Sequence, residues 1–566
     1  WWVASLCWFE PGVFLQENIS LAMVSSHRDG VTPRAVFVKI LKLYGVVTVC
    51  KIVLAFWRRY RMARMLRDVP DAKLPRHPLL GHLPGFLQNM HRLNDMRAES
   101  NTEHPICKVL FGLWDPENVT VLVAKPEAVR HILKDAFNKY SKPPAHQDHF
   151  FWLLEQYTGH GIFSIPHGLM TPDDGAEWKQ QRKIAAGIFT RENFNVGMHR
   201  VFVEKAKKMR NLMVDGETTD MQAHFFNYTF DSIMKIFYGH ESDMVGGGAN
   251  AFGTAFDGAH RCMMKYLFAS AGPKAMLDLL PWPLGGLQGL GMRLQRAFSA
   301  EYAEFCHHIR ILDEESAVLA VKARQDKNIS SRSDLIALYI QAGAREAVPQ
   351  TDKFLRDTFL NFVLAGRDTT ACTLTWMFYE LATNPEVQRQ VLEEIDTKLP
   401  DGTDPTLKLV QHTEMPLLHA LLYETLRLHP PVPSDGKTAS CNDVFPDGTK
   451  IPKGAKVDFV PYSMGRDPTV WDNPLEVNLQ RWIPFTVPSP YEFPVFQAGP
   501  RICLGMDMAI YESKVLAAML LQQFSFALLD GEAEKIHYSL MVTMSLCNSK
   551  KQDSHNLWLV PTRRST

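Results

Sequence analysis

Phe496-Gln497-Ala498-Gly499-Pro500-Arg501-Ile502-Cys503-Leu504-Gly505 is the stretch on which the reading of this chain turns. A lone cysteine sits between two glycines, and an apolar helical pattern through Leu504, Met508, Ala509, Val515 and Leu516 begins directly after it. Glycine lets backbone approach a bulky group without a Cβ clash. A helix N-terminus offers free N–H groups and positive potential. Both are expected to lower the thiol pKa and favour a thiolate able to hold a metal. Arg501 adds a cation that can meet a carboxylate. A buried structural cysteine is the commoner fate of a single thiol. That reading accounts for Cys503 but not for the glycines, the arginine and Phe496 at their spacings.

Outward from this loop, the bulk composition is that of an ordinary globular protein. The chain has 566 residues, 46% of them hydrophobic and 22% charged. Lysine plus arginine balances aspartate plus glutamate at 61 each, so no global field exists to hold a nucleic-acid backbone. Nine cysteines are widely spaced with no CxxC pair, which argues against a disulfide framework and a structural zinc ribbon. A reducing compartment fits best.

The chain opens on Trp1, with Met23 a candidate start; residues 1–34 are an N-terminal extension, of which 1–22 are given no fold. Residues 35–57 (AVFVKILKLYGVVTVCKIVLAFW) are expected to form a membrane anchor, since a span needs about 20 apolar residues. Lys39, Lys42 and Lys51 weaken it, and a helix lying on the membrane surface is the alternative. Arg58, Arg59, Arg61, Arg64 and Arg67 mark a cytosolic flank. Pro70, Pro75, Pro78 and Pro84 make residues 58–85 a basic, proline-rich hinge. Residues 86–566 are read as one mainly helical catalytic domain. Short β-like runs start at Cys107 and Thr120, and a β-rich patch at 436–460 carries an Asp447-Gly448 hairpin turn.

The loop matches Phe-x-x-Gly-x-Arg-x-Cys-x-Gly at every fixed position, and on it the chain resembles the cytochrome P-450 family. The resemblance implies an α-rich prism with a small β-rich lobe, and haem b held without a covalent link. The haem would lie between a long central helix and the cysteine loop. Cys503 would be the axial ligand of the iron, with Arg501 beside the cofactor.

Three further landmarks follow in the family's order, spread over roughly residues 70–560. Ala365-Gly366-Arg367-Asp368-Thr369-Thr370 lies inside a helical pattern from about Lys353 to Leu381. Glycine inside a helix costs about 1 kcal/mol against alanine, and threonine can bond back to the preceding turn and bend it. Alone, this is a weak point in a solvent-facing helix. By resemblance it is the oxygen-activation segment, with Thr369 and Asp368 as catalytic residues. Ala365 replaces the glutamate that ester-links haem in some relatives.

Glu424 and Arg427 share a helix face, and the resemblance makes them a buried pair completed by Arg481. The Pro-Glu of the usual Pro-Glu-Arg-Phe/Trp segment is replaced by Leu479-Gln480. Trp178 and Arg182, four apart in WKQQRK, look like the pair that holds a haem propionate.

The expected substrate pocket includes Phe362, Ala365, Val432 and Pro433, with the loop before Trp178. All are apolar or small, suiting a hydrophobic substrate. Runs from Phe230, Glu424, Asn442 and Ala498 look like the eukaryotic long-chain fatty-acid ω-hydroxylase group. That implies hydroxylation at or near a terminal carbon, an endoplasmic reticulum location, and electrons from NADPH through a separate flavoprotein reductase. A sterol or xenobiotic hydroxylase, a reductase-independent haem enzyme and a haem sensor remain alternatives.

Overall fold

The computed structural model describes residues 60–564 apart from 79, 111–118, 144–147, 168–174, 191–192, 249, 279–293, 346–350, 540 and 550–553, plus a few positions from 42 to 57. The side chains of 196, 271–278 and 344–345 are also outside the description. The N-terminal extension, most of the anchor segment, the turn at Pro116–Asn118 and the start of the loop before Trp178 therefore lie outside the described residues.

Helices dominate. The principal ones are α1 (Leu93–Glu103), α2 (His149–Thr158), α3 (Ala176–Ala186), α4 (His199–Asn211), α5 (Met221–Tyr238), α6 (Ala251–Asp278) and α7 (Ala300–Gln325). They continue with α8 (Leu335–Arg345), α9 (Asp352–Val363), α10 (Thr369–Thr383), α11 (Pro385–Lys398), α12 (Pro416–Leu428) and α13 (Met506–Leu521). Their starts are set locally. Asp148, Asp220, Ser299 and Thr351 accept hydrogen bonds from first-turn amides of α2, α5, α7 and α9. Proline opens α11 and α12, where its missing N–H is no loss. Gly239 closes α5 at φ 63°.

The helix expected between Lys353 and Leu381 is not continuous α. Leu364–Asp368 forms a π turn between α9 and α10, the kind of local opening that marks functional sites. Most residues of α10 and of α13 are buried, and the two helices pack together in the main core. A helix apolar on all sides belongs inside.

The smaller lobe holds a five-stranded sheet in the order β1-β2-β8-β5-β3, made of Ile106–Leu110, Val119–Val123, Lys456–Phe459, Asp435–Ala439 and Tyr140–Ser141. β2 and β8 run parallel, and the other pairs are antiparallel. The hairpin β6–β7 (Asp443–Val444, Lys450–Ile451) turns through Gly448 at φ 89°. Near the C-terminus, β12 (Trp558–Arg563) pairs with both β9 (Phe524–Leu528) and β4 (Thr219–Asp220), while β10 (His537–Tyr538) pairs with β11 (Leu546–Cys547).

Within 58–85, the segment read as flank and hinge, residues 62–72 pack onto this lobe. Met62, Leu66 and Val69 are buried beside Ile132 and Val457, and Lys108 exchanges backbone hydrogen bonds with Pro70 and Ala72. Among the described residues, no helix is long and apolar enough to cross a membrane.

Candidate active site

The cysteine loop is shaped by its own backbone. The Cys503 N–H donates to Phe496 O at 2.8 Å and the Ile502 N–H to Gly499 O at 3.1 Å. Gly499 has φ 62°, and a Cβ there would lie 2.1 Å from Leu133 O. Only glycine meets both demands, so the loop rests directly on the turn His131–Asp135. α13 starts three residues after the cysteine, at Met506.

Cys503 is exposed to solvent, yet desolvation dominates its titration and raises the thiol above its usual range. The expected lowering of this thiol is therefore corrected: burial outweighs the Gly505 N–H and the Arg182 charge, which pull the other way.

Arg501 turns back from the loop. Its guanidinium lies 4.4 Å over the ring of buried Trp178 and donates to Ile162 O (3.2 Å), Ile165 O (2.7 Å) and His167 Nδ1. Burial pushes it down to about 9. His167 stacks on Phe137 at 4.0 Å and is held neutral, at about 2, by burial and the Arg501 charge. Its Nε2 is buried with no partner among the described residues. Arg182 donates to Ile502 O and stands 5.9 Å over Trp178. Trp178, Arg182 and the cysteine loop are thus brought together.

Two lysines join this group that the sequence did not single out. Lys437, on β5, lies 2.7 Å from Asp435, and Lys142 lies 3.8 Å from the same carboxylate. Gln497 also donates to Asp435. Among the described residues, Asp435 is the one carboxylate within salt-bridge reach of the two lysines, and none reaches Arg501. The lysines and Arg501 press on each other, and with burial this pushes Lys142 down to about 8. Nothing local in YSK or DGK distinguishes these lysines from surface ones, so no sequence signal could have found them.

On the π turn and α10, Thr369 Oγ1 donates to Ala365 O at 2.7 Å. Ala365, Gly366 and Thr369 are half-buried, while Phe362, Arg367 and Asp368 are buried. The sequence reading gave Gly366 to helix opening, but its closest constraint is steric: a Cβ there would meet Ile233 Cδ1, on α5, at 2.3 Å. Arg367 pairs with Asp257 of α6 through two bonds of 2.6 and 3.0 Å and with Asp368 at 3.0 Å. His260, also on α6, reaches Asp368 from the other side. Val432 and Pro433 are half-buried, and the preceding Pro431 accepts the Met544 N–H at 2.8 Å. Val542 in turn donates to His260, so one loop joins the 431–433 segment to α6.

Glu424 and Arg427 on α12 are fully buried and 2.7 Å apart. Glu424 also accepts from the Trp482 indole (2.8 Å), the Asn478 N–H (2.9 Å) and, more weakly, Arg481 (3.4 Å). Arg427 donates to the carbonyls of Gly465, Pro474 and Glu476.

Residues 72–554 match the family model for cytochrome P450. The chain is 30% identical to cytochrome P450 704C1 of Pinus taeda over 93% of its own length and 99% of that protein. It is 32% identical to cytochrome P450 CYP94D108 of Paris polyphylla (80% and 86% covered) and 31% identical to cytochrome P450 94B1 of Arabidopsis thaliana (79% and 84% covered). Its fold superposes on the haem domain in "Crystal structure of cytochrome P450DA heme domain" with TM-score 0.68, at 19% identity, covering 88% of this chain and 98% of that one. The chain belongs to the cytochrome P450 family, and it is a haem-dependent monooxygenase with a cysteine ligand to the iron. The residues fit such a group. An open thiol stands beside buried cations in excess of their carboxylate and the unbonded Nε2 of His167, which suits an iron porphyrin carrying two carboxylates.

Proposed function

We propose that this protein hydroxylates a long-chain fatty acid at or near its terminal carbon, with Cys503 as the haem ligand. Bound haem supplies the oxygen chemistry, which thiolate donation favours by promoting O–O cleavage. Arg501, Arg182, Trp178, Lys142 and Lys437 would hold the propionates, and Arg182 fixes the loop at Ile502 O. Thr369, half-buried at the opened helix, keeps its hydroxyl oxygen as an acceptor while its proton is engaged by Ala365 O. Asp368 supplies protons beside it.

The observation that carries the substrate class is the uncharged opening of the helix. Ala365, Gly366 and Thr369 are the half-open positions, while the charges beside them, Arg367 and Asp368, are buried and paired. Such a lining suits an alkyl chain. The runs shared with fatty-acid ω-hydroxylases support the same reading, and Ala365 leaves no carboxylate to esterify the haem.

Electrons come from NADPH through a separate flavoprotein reductase in this proposal, and the chain acts at the endoplasmic reticulum membrane. Val46, Val49, Val53, Trp57 and Tyr60 are helical, exposed and spaced three and four apart, an apolar face fit for a bilayer.

Substrate-induced spin-state shifts test the substrate. Fatty acids of roughly 12 to 18 carbons, a size that suits a large apolar pocket, should produce the shift and be turned over with reductase. A shift with sterols and none with fatty acids would overturn the assignment. Cys503→Ser should abolish the characteristic band of the reduced carbon monoxide complex.

A further inference from the structure

We propose that Cys262, Glu304 and His308 form a zinc site that ties α6 to α7. The two helices pack side by side. Glu304 and His308 stand four residues apart on one face of α7. On α6, Gly258 and Cys262 stand four apart in the same way. The imidazole of His308 lies directly on Gly258, where a Cβ would come within 2.2 Å of Nε2. A glycine is required there, and it seats the ring in the seam beside the thiol.

The donor atoms of the three side chains all lie within 4.8 Å of one another, and His308 Nε2 is 3.9 Å from Glu304 Oε1. A tetrahedral zinc ion with bonds of about 2.0–2.3 Å places its donors roughly 3.3–3.6 Å apart. The contraction needed falls mainly on Glu304, whose side chain is 64% exposed and free to turn.

The donor chemistry selects the ion. One sulfur, one imidazole nitrogen and one carboxylate oxygen suit zinc, whereas magnesium and calcium take oxygen. Partial burial holds His308 below its ordinary value, which keeps the ring in the neutral form that binds metal. Burial and Glu304 push the Cys262 thiol up to about 11, so metal binding must release a proton and strengthen with pH. Arg261 and Lys265 lie close enough to act on the thiol. They favour the thiolate and oppose a dication. Thiolate and carboxylate together neutralise the ion, and the exposed side of Glu304 leaves a fourth position for water.

The test uses the purified, haem-loaded full chain with zinc chloride. After equilibration and desalting, elemental analysis should find one zinc per haem. Cys306→Ser, a change to the exposed cysteine on α7, should leave this unchanged. Cys262→Ser and His308→Gln should each weaken zinc affinity at least ten-fold against a competing chelating dye, with the reduced carbon monoxide band intact. Cadmium should give the unaltered protein an ultraviolet thiolate-to-metal charge-transfer band. Absence of that band, or equal zinc retention by the His308→Gln protein, would overturn the site.

Discussion

His260 Nδ1 lies 3.2 Å from Asp368 Oδ2, with the two side chains 5% and 1% exposed. The Val542 N–H donates to His260 Nε2 at 3.1 Å. That nitrogen therefore carries the lone pair, and Nδ1 carries the proton it gives to Asp368. Arg367 holds the other carboxylate oxygen. Asp368 is thus pinned from both sides, and the chain of contacts continues through Arg367 to Asp257, which is 44% exposed. His260→Ala should leave the carbon monoxide band unchanged but loosen Asp368, so that less of the consumed NADPH yields product and more peroxide is released. Asp368→Asn should slow turnover by about 100-fold or more. Thr369→Ala should keep haem and uncouple electron use. An unchanged ratio of product to NADPH in all three would refute the proton-delivery role.

The Glu424 cluster makes a graded stability prediction. Replacing Arg427 with methionine strands a buried carboxylate and should cost about 3–5 kcal/mol. Trp482→Phe removes one hydrogen bond to a charged group, about 1.5–3 kcal/mol. Arg481 is the weakest partner, at 3.4 Å and also bonded to Asp472 O, so Arg481→Ala should cost less than about 1 kcal/mol. Denaturation midpoints check the order. Finding Arg481 the costliest of the three would contradict it.

Gly366 and Ile233 should couple. Gly366→Ala overpacks against Ile233 and should cost about 1–3 kcal/mol. Ile233→Ala alone opens a cavity costing about 2–5 kcal/mol. Because each change relieves the other, the double variant should be more stable than the sum predicts. Strict additivity would show that the Cβ finds room elsewhere.

Stability should also depend on pH through α13. Glu512 is fully buried with neither oxygen bonded among the described residues, and burial raises it from an ordinary 4.5 to about 8. Between those values the folded protein keeps a proton that the unfolded chain has lost. This contribution is complete below pH 4.5 and falls by roughly 1.4 kcal/mol per unit as pH rises toward 8. Lys514 is pushed by burial from 10.5 down to about 7, so it contributes the opposite slope between those values. Glu512→Gln should flatten the first slope and Lys514→Met the second. Urea melts at pH 5, 6 and 7 read the first slope and melts at pH 8, 9 and 10 the second (values chosen inside the two windows), and an unchanged slope in either variant would reject its assignment.

Local chemistry was readable in advance where partners lie close along the chain. The helical fold, the paired runs at Ile106–Leu110 and Val119–Val123, the Gly448 turn and the Glu424–Arg427 pair all follow from spacing and turn residues. Partners from distant segments were not readable. Lys142 and Lys437 meet only because β3 and β5 pair, His260 reaches Asp368 only because α6 crosses the π turn, and Trp482 serves Glu424 across a loop. The Cys503 titration was misjudged for a related reason: crowding is a property of the whole fold, whereas glycine and helix start are visible in ten residues.

The lysines facing Asp435 give assembly a direction. A newly made chain that folds before meeting its porphyrin must keep Lys142, Lys437 and Arg501 close together with one counter-charge between them. Mutual repulsion would then strain β5, Tyr140–Ser141 and the segment from Ile162 to His167 first, and phosphate-rich buffer would ease it. Two carboxylates bound there would supply the counter-charge that the polypeptide by itself leaves missing.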